Sequence, residues 1–216
     1  MNYIISIEGN IGSGKSTLLI NLKKIYKDRV VFIEEPVDNW KQLVNENNEN
    51  ILELFYKDKH KYSFSFQLFA YITRLKSFLN TISQYSNKII ITERSIFSDK
   101  YIFAKLLFNE KHLNSIEWKV YLELFNMFSQ NYTINKYIYV NTNPHECLKR
   151  INKRNRSEEA NKIPIEYLQS LHNNHEEWIK TTEHLEIDGN LSENDVLNKA
   201  IDFIIQLTQN HSSLYL

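Results

Sequence analysis

The sequence predicts an α/β fold, a five-stranded parallel sheet flanked by helices on both faces. Three observations predict it. Four short, β-branched apolar runs with little alternation read as strands buried on both sides: Tyr3–Ile7, Val30–Ile33, Lys88–Thr92 and Lys136–Val140, with a weaker fifth at Leu185–Ile187. Segments of helical period lie between them, the alternation expected of a parallel sheet with right-handed crossovers. A glycine-rich turn joins the first run to the first helical segment, and it holds three of the chain's four glycines, Gly9, Gly12 and Gly14. In such a sheet, ligands sit outside the carboxyl ends of the strands.

The first strand leads into Gly9-Asn10-Ile11-Gly12-Ser13-Gly14-Lys15-Ser16, a match to the P-loop pattern G-x-x-x-x-G-K-[ST]. A helix over Ser16–Tyr26 follows, so the context is also right. Glycines let backbone N–H groups turn inward, and the helix N-terminus adds a positive end. Residues 9–16 with Thr17 are therefore the expected phosphate-binding element. Lys15 would reach the outer phosphates and Ser16 would ligate Mg²⁺. A plain strand-to-helix turn is the alternative. The motif implies a nucleoside triphosphate but no particular reaction. No Asp-x-x-Gly switch or Asn-Lys-x-Asp signature follows, and the only later glycine is Gly189, which excludes a G protein. Small-molecule kinases, ATPases and regulatory ATP binders remain.

The second strand ends in Glu34-Glu35-Pro36-Val37-Asp38-Asn39-Trp40. A carboxylate there, beside the phosphate loop, could take a proton from an attacking hydroxyl; an exposed acidic turn before proline is the alternative. Asn45–Asn50 reads as a polar surface loop. A long helix is expected over Tyr62–Ser83. The third strand ends in Glu93-Arg94, where Glu93 could hold Mg²⁺ and Arg94 a substrate hydroxyl or developing charge, or the two could be a structural ion pair. Helices are expected next over Ile96–Phe108, Ile116–Asn131 and, after the fourth strand, Pro144–Arg154.

The last of these carries Arg150 and Arg154 on one face, with Arg156 just beyond. On a mobile lid, about residues 150–162, three arginines would neutralise a triphosphate; a solvated basic helix end is the alternative. Helices over Ile165–Thr181 and Glu193–Leu207 complete the pattern. The latter puts Val196, Leu197, Ala200, Ile201, Ile204 and Ile205 on one face. His172, His175 and His184 have no matching acidic or cysteine cluster, so packing or surface roles are expected rather than a metal site.

Composition removes other classes. A length of 216 residues suits one domain, residues 1–216, with 42% hydrophobic and 24% charged residues. The 26 basic and 26 acidic residues cancel, so no global field recruits nucleic acid or an anionic membrane. The single cysteine, Cys147, permits no internal disulfide and reads as inert core. No apolar run approaches the roughly 20 residues that span a bilayer, and no leader pattern opens the chain. A soluble, cytoplasmic protein is expected. Only six arginines stand against 20 lysines, and five of the six fall in the segments singled out here, where a planar fork has a use.

The ordered set GNIGSGKS, EEPVDNW, FSFQ, ERSIFSDKYIFA, KRINKRNRSEE and IPIEYL strongly resembles the deoxynucleoside kinases of the deoxycytidine/deoxyguanosine kinase group. The resemblance covers about residues 3–190. It implies a P-loop kinase fold and transfer of the γ-phosphoryl of ATP to the 5′-hydroxyl of a deoxynucleoside. By the same resemblance Glu35 is the general base, Arg94 holds the hydroxyl, and Glu93 with Ser16 serves Mg²⁺. Tyr56 and Glu159 match the pair that holds the sugar 3′-hydroxyl, and Gln67 the amide on the base edge. Ile11, Trp40, Phe66, Ala70 and Phe103 would wall the base, with Phe66 and Phe103 placed to sandwich it.

Arg74 and Asp99 resemble a pair that accompanies deoxycytidine and purine deoxynucleosides; thymidine-preferring relatives carry smaller or apolar residues there. The expected substrates are therefore deoxyguanosine, deoxyadenosine and/or deoxycytidine. A broad or thymidine-preferring kinase, a nucleoside monophosphate kinase, and a non-catalytic nucleotide-binding subunit that regulates a partner kinase are the competing readings. The family is usually homodimeric through long helices, here 62–83 and 116–131. One departure stands out: Asp188-Gly189-Asn190-Leu191-Ser192 replaces the usual acidic base-sensing loop, which leaves the choice of donor open.

Overall fold

A computed structural model of the chain describes residues 2–130, 132–156, 158–159 and 162–209. Among these residues five strands form one sheet: β1 (Tyr3–Glu8), β2 (Val30–Ile33), β3 (Ile89–Glu93), β4 (Lys136–Asn141) and β5 (His184–Asp188). Their order is β2-β3-β1-β4-β5, and every pairing is parallel. All six residues of β1 and all five of β3 are buried, the consequence of helices on both faces. Alternation along β1 sends Ile5 and Ile7 to one layer and Ile4 to the other.

The first layer is α1 (Lys15–Tyr26) and α10 (Glu193–Gln209), which press Leu19, Leu22, Ala200 and Ile204 onto the sheet. On the opposite face lie α4 (Lys59–Gln84), α7 (Ser115–Ser129), α8 (Pro144–Arg154) and α9 (Ile165–Ile179). Tyr71, Phe78, Tyr121 and Phe125 fill the core on one side of that face; Cys147, Ile151, Leu168 and Leu171 fill it on the other. Cys147 is core, as expected, and burial pushes its thiol up to about 11. His175 is packing as well: it stacks on Tyr139 and its Nδ1 lies 2.7 Å from the Leu171 carbonyl.

Two helices were not foreseen. They are α2 (Val37–Gln42) and α3 (Ile51–Lys57), and with α4 they enclose a fourth cluster around Trp40, Phe55 and Phe66. The polar run at 45–50 is not wholly a surface loop. Asn50 is buried and caps α3: its side chain accepts from the Glu53 N–H, while Glu53 accepts from the Asn50 N–H.

The expected helix over 96–108 is three pieces in succession. α5 (Ile96–Ser98) passes into a π-helical turn (Asp99–Ala104) and then α6 (Lys105–Asn109). Asp99 and Phe103 of that turn line the cleft described below, while Ile102 and Ala104 are buried in separate core clusters. The expected helix over 116–131 runs one residue earlier and ends at Ser129; Asn131 lies outside the described residues. No helix among the described residues is long and apolar enough to cross a membrane.

Candidate active site

The strand order sets the carboxyl ends of β2, β3 and β1 side by side. The loop after each opens on one cleft of about 700 Å³. Of the expected site residues, Ile11, Gly12, Gly14, Lys15, Ser16, Thr17, Glu35, Trp40, Tyr56, Phe66, Gln67, Ala70, Arg74, Glu93, Arg94, Asp99, Phe103, Arg150, Arg154, Arg156 and Glu159 line it. Gly9, Asn10 and Ser13 do not.

Those three hold the loop's shape instead. A Cβ on Gly9, at φ +146°, would stand 2.6 Å from the Val140 carbonyl oxygen. Asn10 donates its amide to the Leu168 carbonyl at 2.8 Å, and its own carbonyl accepts Lys15 Nζ at 2.7 Å. The Ser13 carbonyl accepts from Thr142 and Arg150. Lys15 is therefore drawn across the loop. Burial and the Arg94 guanidinium lower its ammonium to about 8, against the pull of Glu93 and Glu35. Ser16 Oγ donates to Glu93 Oε1 at 2.7 Å. A serine hydroxyl and a carboxylate meeting beside the phosphate loop are hard oxygen donors of the kind Mg²⁺ takes.

Glu35 stands after β2 with two guanidiniums on one oxygen. Arg74 Nη2 lies 3.0 Å and Arg94 Nε 3.2 Å from its Oε1. Burial alone would raise this carboxyl, but Arg74, Arg94 and Lys15 outweigh it and hold it at about 2. Its neighbour Glu34 turns outward to Lys23. Arg94 takes a left-handed backbone, φ 64°, unusual for a side chain of its size. Its N–H donates to the Ile7 carbonyl at 2.9 Å, and its guanidinium lies 4.8 Å over the Phe103 ring.

Glu8 was not singled out in the sequence, yet it helps hold that turn. Its Oε1 accepts from Ser6 Oγ, Ser95 Oγ and Ser95 N–H at 2.7 to 3.0 Å. Burial lifts its carboxyl above the usual range, against Arg94.

Deeper in the cleft Arg74 is 2% exposed and Asp99 2%. Arg74 Nε reaches Asp99 Oδ2 at 2.9 Å and Nη2 reaches Oδ1 at 3.4 Å, while Nη1 donates to the Glu93 carbonyl at 3.2 Å. One arginine thus touches the carboxylates after β2 and in the π turn, and the backbone at the end of β3. Burial raises the Asp99 carboxyl and Arg74 opposes it. Gln67 donates its amide to the Asp99 carbonyl at 3.1 Å. Phe66 packs on Phe55, ring centroids 4.7 Å apart, and edge-on to Trp40. Trp40 Nε1 is held by Thr73 Oγ1 at 3.0 Å.

The three arginines of the expected lid each have partners within the protein. Arg150 sits on α8 and bonds Glu146, the Ser13 carbonyl and the Gly189 carbonyl. Arg154 pairs with Glu159, and Arg156 lies 4.0 Å from the same carboxylate. Lys41 of α2 pairs with Glu158 at 3.1 Å. Ser157, Ala160 and Asn161 of the same segment lie outside the described residues. Behind the phosphate loop a smaller cavity of about 250 Å³ is lined by Ser13, Thr17, Arg150, Gly189, Leu191 and Glu193.

Sequence reasoning missed Val37, Leu52, Phe55, Lys153 and Tyr167, which also line the cleft. Phe55 had a usable signal, the Asn50/Glu53 capping pair that announces α3. Tyr167 lay inside the quoted IPIEYL stretch and was read only as part of a helix.

Comparison with known proteins bears on these same residues. The sequence profile of a family described as deoxynucleoside kinase matches residues 5–210. A protein named as a probable deoxycytidine kinase of Fowlpox virus (strain NVSL) is 36% identical over 219 residues, 94% of this chain and 88% of its own. Deoxycytidine kinase of Homo sapiens is 35% identical over 195 residues, 81% of this chain and 74% of its own. Mitochondrial deoxyguanosine kinase of Xenopus laevis is 35% identical over 199 residues, covering 83% and 74%.

Proposed function

This chain belongs to the deoxynucleoside kinase family and is an ATP-dependent deoxynucleoside kinase; from that premise we propose how residues 1–216, acting as a single kinase domain, carry out the transfer and which bases they prefer. The 5′-oxygen of the deoxynucleoside forms a bond to the γ-phosphorus, the bond from that phosphorus to the β–γ bridging oxygen breaks, and the hydroxyl proton passes to Glu35. At a carboxyl held near 2, Glu35 is ionised at all working pH values and ready to accept. It is a weak base at equilibrium, which suits a loose transition state in which the proton leaves late and positioning dominates. Arg94 orients the hydroxyl and balances the charge on Glu35. Lys15, the P-loop backbone, Arg150, Arg154 and Arg156 bind and neutralise the phosphates. For Arg154 and Arg156 this requires an exchange of Glu159 for phosphate oxygens.

Ser16 and Glu93 would hold Mg²⁺, which when bound neutralises phosphate charge. Ile11, Trp40, Phe66, Ala70 and Phe103 enclose the base, Gln67 meets its edge, and Tyr56 and Glu159 hold the sugar. The cavity behind the loop, beside Arg150 and Leu191, is where the donor base would rest. The enzyme works as a cytoplasmic homodimer. Support for the dimer is an apolar surface on α4 and α7, where Ile72, Val120, Met127 and Phe128 are exposed.

The preference for deoxyguanosine, deoxyadenosine and/or deoxycytidine over thymidine rests on one observation, the buried Arg74–Asp99 pair beside Gln67. A thymine methyl turned toward that pair would meet charged groups with nothing to bond. A base edge of donors and acceptors would not. The test is γ-labelled ATP transfer to the four deoxynucleosides side by side, with a 5′-monophosphate control. Labelling of purine and cytosine deoxynucleosides ahead of thymidine is expected. Thymidine in first place would sink the pocket argument and leave the kinase standing.

A further inference from the structure

We propose that Lys59 is a positioning residue for the nucleoside, its ammonium strapping together the two chain segments that carry Tyr56 and Glu159. The proposal rests on the kinase reading above, in which those two residues hold the sugar.

Lys59 opens α4, directly after its N-cap Asp58, whose side chain accepts from the Lys61 N–H. A cation at the first position faces the positive end of the helix dipole, and the first turn of α4 contains no acid. The placement is locally unfavourable, so an offsetting gain is expected elsewhere. That gain is Tyr167. Lys59 Nζ lies 3.6 Å from the centroid of the Tyr167 ring and 6.0 Å from that of Phe55. Lys59 itself is half-buried, so water competes only partly for its charge. Burial lowers the Lys59 ammonium, and Glu110, just after α6, partly opposes that.

The geometry has a use. Phe55 and Tyr167 both line the cleft. Tyr56 lies three residues before Lys59, at the end of α3, and packs against the cluster that contains Tyr167. Glu159 lies eight residues before Tyr167, at the far end of the segment that leads into α9. α3 is itself held by its packing on α4 and Glu159 by its pairing with Arg154, and the Lys59–Tyr167 contact ties these two parts to each other. The cation therefore joins the two halves of the sugar site from outside, without touching the sugar.

The experiment measures steady-state kinetics of Lys59→Met and Lys59→Arg with deoxycytidine or deoxyguanosine, varying nucleoside and ATP separately. Methionine keeps the aliphatic stem and removes the charge. The expected result is a nucleoside KM raised about three- to fivefold in Lys59→Met, the loss of one cation–π contact. kcat and the ATP KM should stay within about twofold, and Lys59→Arg should return the nucleoside KM to within about twofold of the unaltered enzyme. The penalty should shrink for the matching 2′,3′-dideoxynucleoside, which has no 3′-hydroxyl to hold. An unchanged nucleoside KM in Lys59→Met, an equal penalty on the dideoxynucleoside, or failure of arginine to restore it would overturn the strap. Should Lys59→Met not fold, Lys59→Gln is measured in its place with the same expectations. Tyr56→Phe separates the two layers of the argument. If it leaves the nucleoside KM unchanged, the sugar-site reading itself fails; if it raises KM and Lys59→Met does not, only the strap fails.

Discussion

Arg74 and Asp99 form the interaction whose removal should be most informative. Asp99→Asn or Asp99→Ala leaves Arg74 with Glu35 and the Glu93 carbonyl but strips away its bidentate partner. Arg74→Met leaves Asp99 with an uncompensated carboxylate in the protein interior. Breaking one side of a buried pair costs about 3–5 kcal/mol, because the surviving charge keeps its desolvation penalty. In a chain of this size that is a fall in Tm of roughly 6–20 °C. Removing both sides should cost much less than the sum, so a double-mutant cycle should give a coupling of about 2–3 kcal/mol.

The pH dependence sharpens the test. In Arg74→Met, the remaining force on Asp99 is chiefly burial, which raises its carboxyl further above its unfolded value. A raised carboxyl takes up a proton on folding, so the variant should gain stability as pH is lowered from 8 toward 5. The unaltered protein should behave in the opposite sense lower down. Glu35, held at about 2 against an ordinary 4.5, contributes stability above pH 4.5 that is lost as pH falls toward 2. The assay is thermal unfolding of the four proteins of the cycle at pH 5, 6.5 and 8. Additive costs, or an Arg74→Met variant that weakens on acidification from pH 8 to 5, would refute the pairing argument. The same double variant should raise the thymidine to deoxycytidine ratio of kcat/KM.

Three further outcomes are expected. Glu35→Gln should lower kcat about 10²- to 10⁴-fold with the nucleoside KM within a few-fold, and near-normal turnover would remove Glu35 as the base. Lys15, lowered to about 8, should regain its proton when phosphates arrive, so ATP binding at pH 8 should take up about half a proton. Calorimetry in two buffers of different ionisation enthalpy reads that number, and no difference between buffers would count against it. Gly12→Ala puts a Cβ 2.6 Å from the Cys147 carbonyl at φ +78°, so the loop must shift, and the ATP KM should rise at least fivefold while isolated nucleoside binding stays near normal.

Much of this architecture was readable because period and turn chemistry agreed. β1, β3 and β4 are largely apolar because helices on both faces bury them, and β2, at one edge, is VVFI throughout. β5 was faint for a physical reason: it is an edge strand of sequence HLEID in which only Ile187 is fully buried, whereas the other edge, β2, is wholly apolar with both ends buried. The P-loop was legible from three glycines whose positive φ values no other residue adopts cheaply. The loop's inner bookkeeping was not, since Asn10 and Ser13 act through partners more than 120 residues away. Arg74 was conspicuous as an arginine among apolar residues, and Asp99 as its partner. That Arg74 also reaches Glu35 depends on how β2 and α4 approach, which no local pattern encodes. α3 carried its cap in the asparagine run, where polarity drew attention to solvent rather than to Asn50. Tyr167 and Lys59 meet only once the start of α9 reaches the start of α4, so neither looked unusual alone.

The π-helical turn at Asp99–Ala104 carries a consequence for how the protein can change over generations. It amounts to one residue inserted into a 14-residue helix, and it is what aims Asp99 and Phe103 at the cleft while Leu106 and Leu107 still fall into their own clusters. Deleting one residue there would swing everything downstream by about 100° about the helix axis, emptying two hydrophobic clusters at once. An outward side chain of the turn such as Tyr101 can vary, but the residue count of the turn is locked. Relatives aligned across Ile96–Asn109 should differ by replacement and never by a gap.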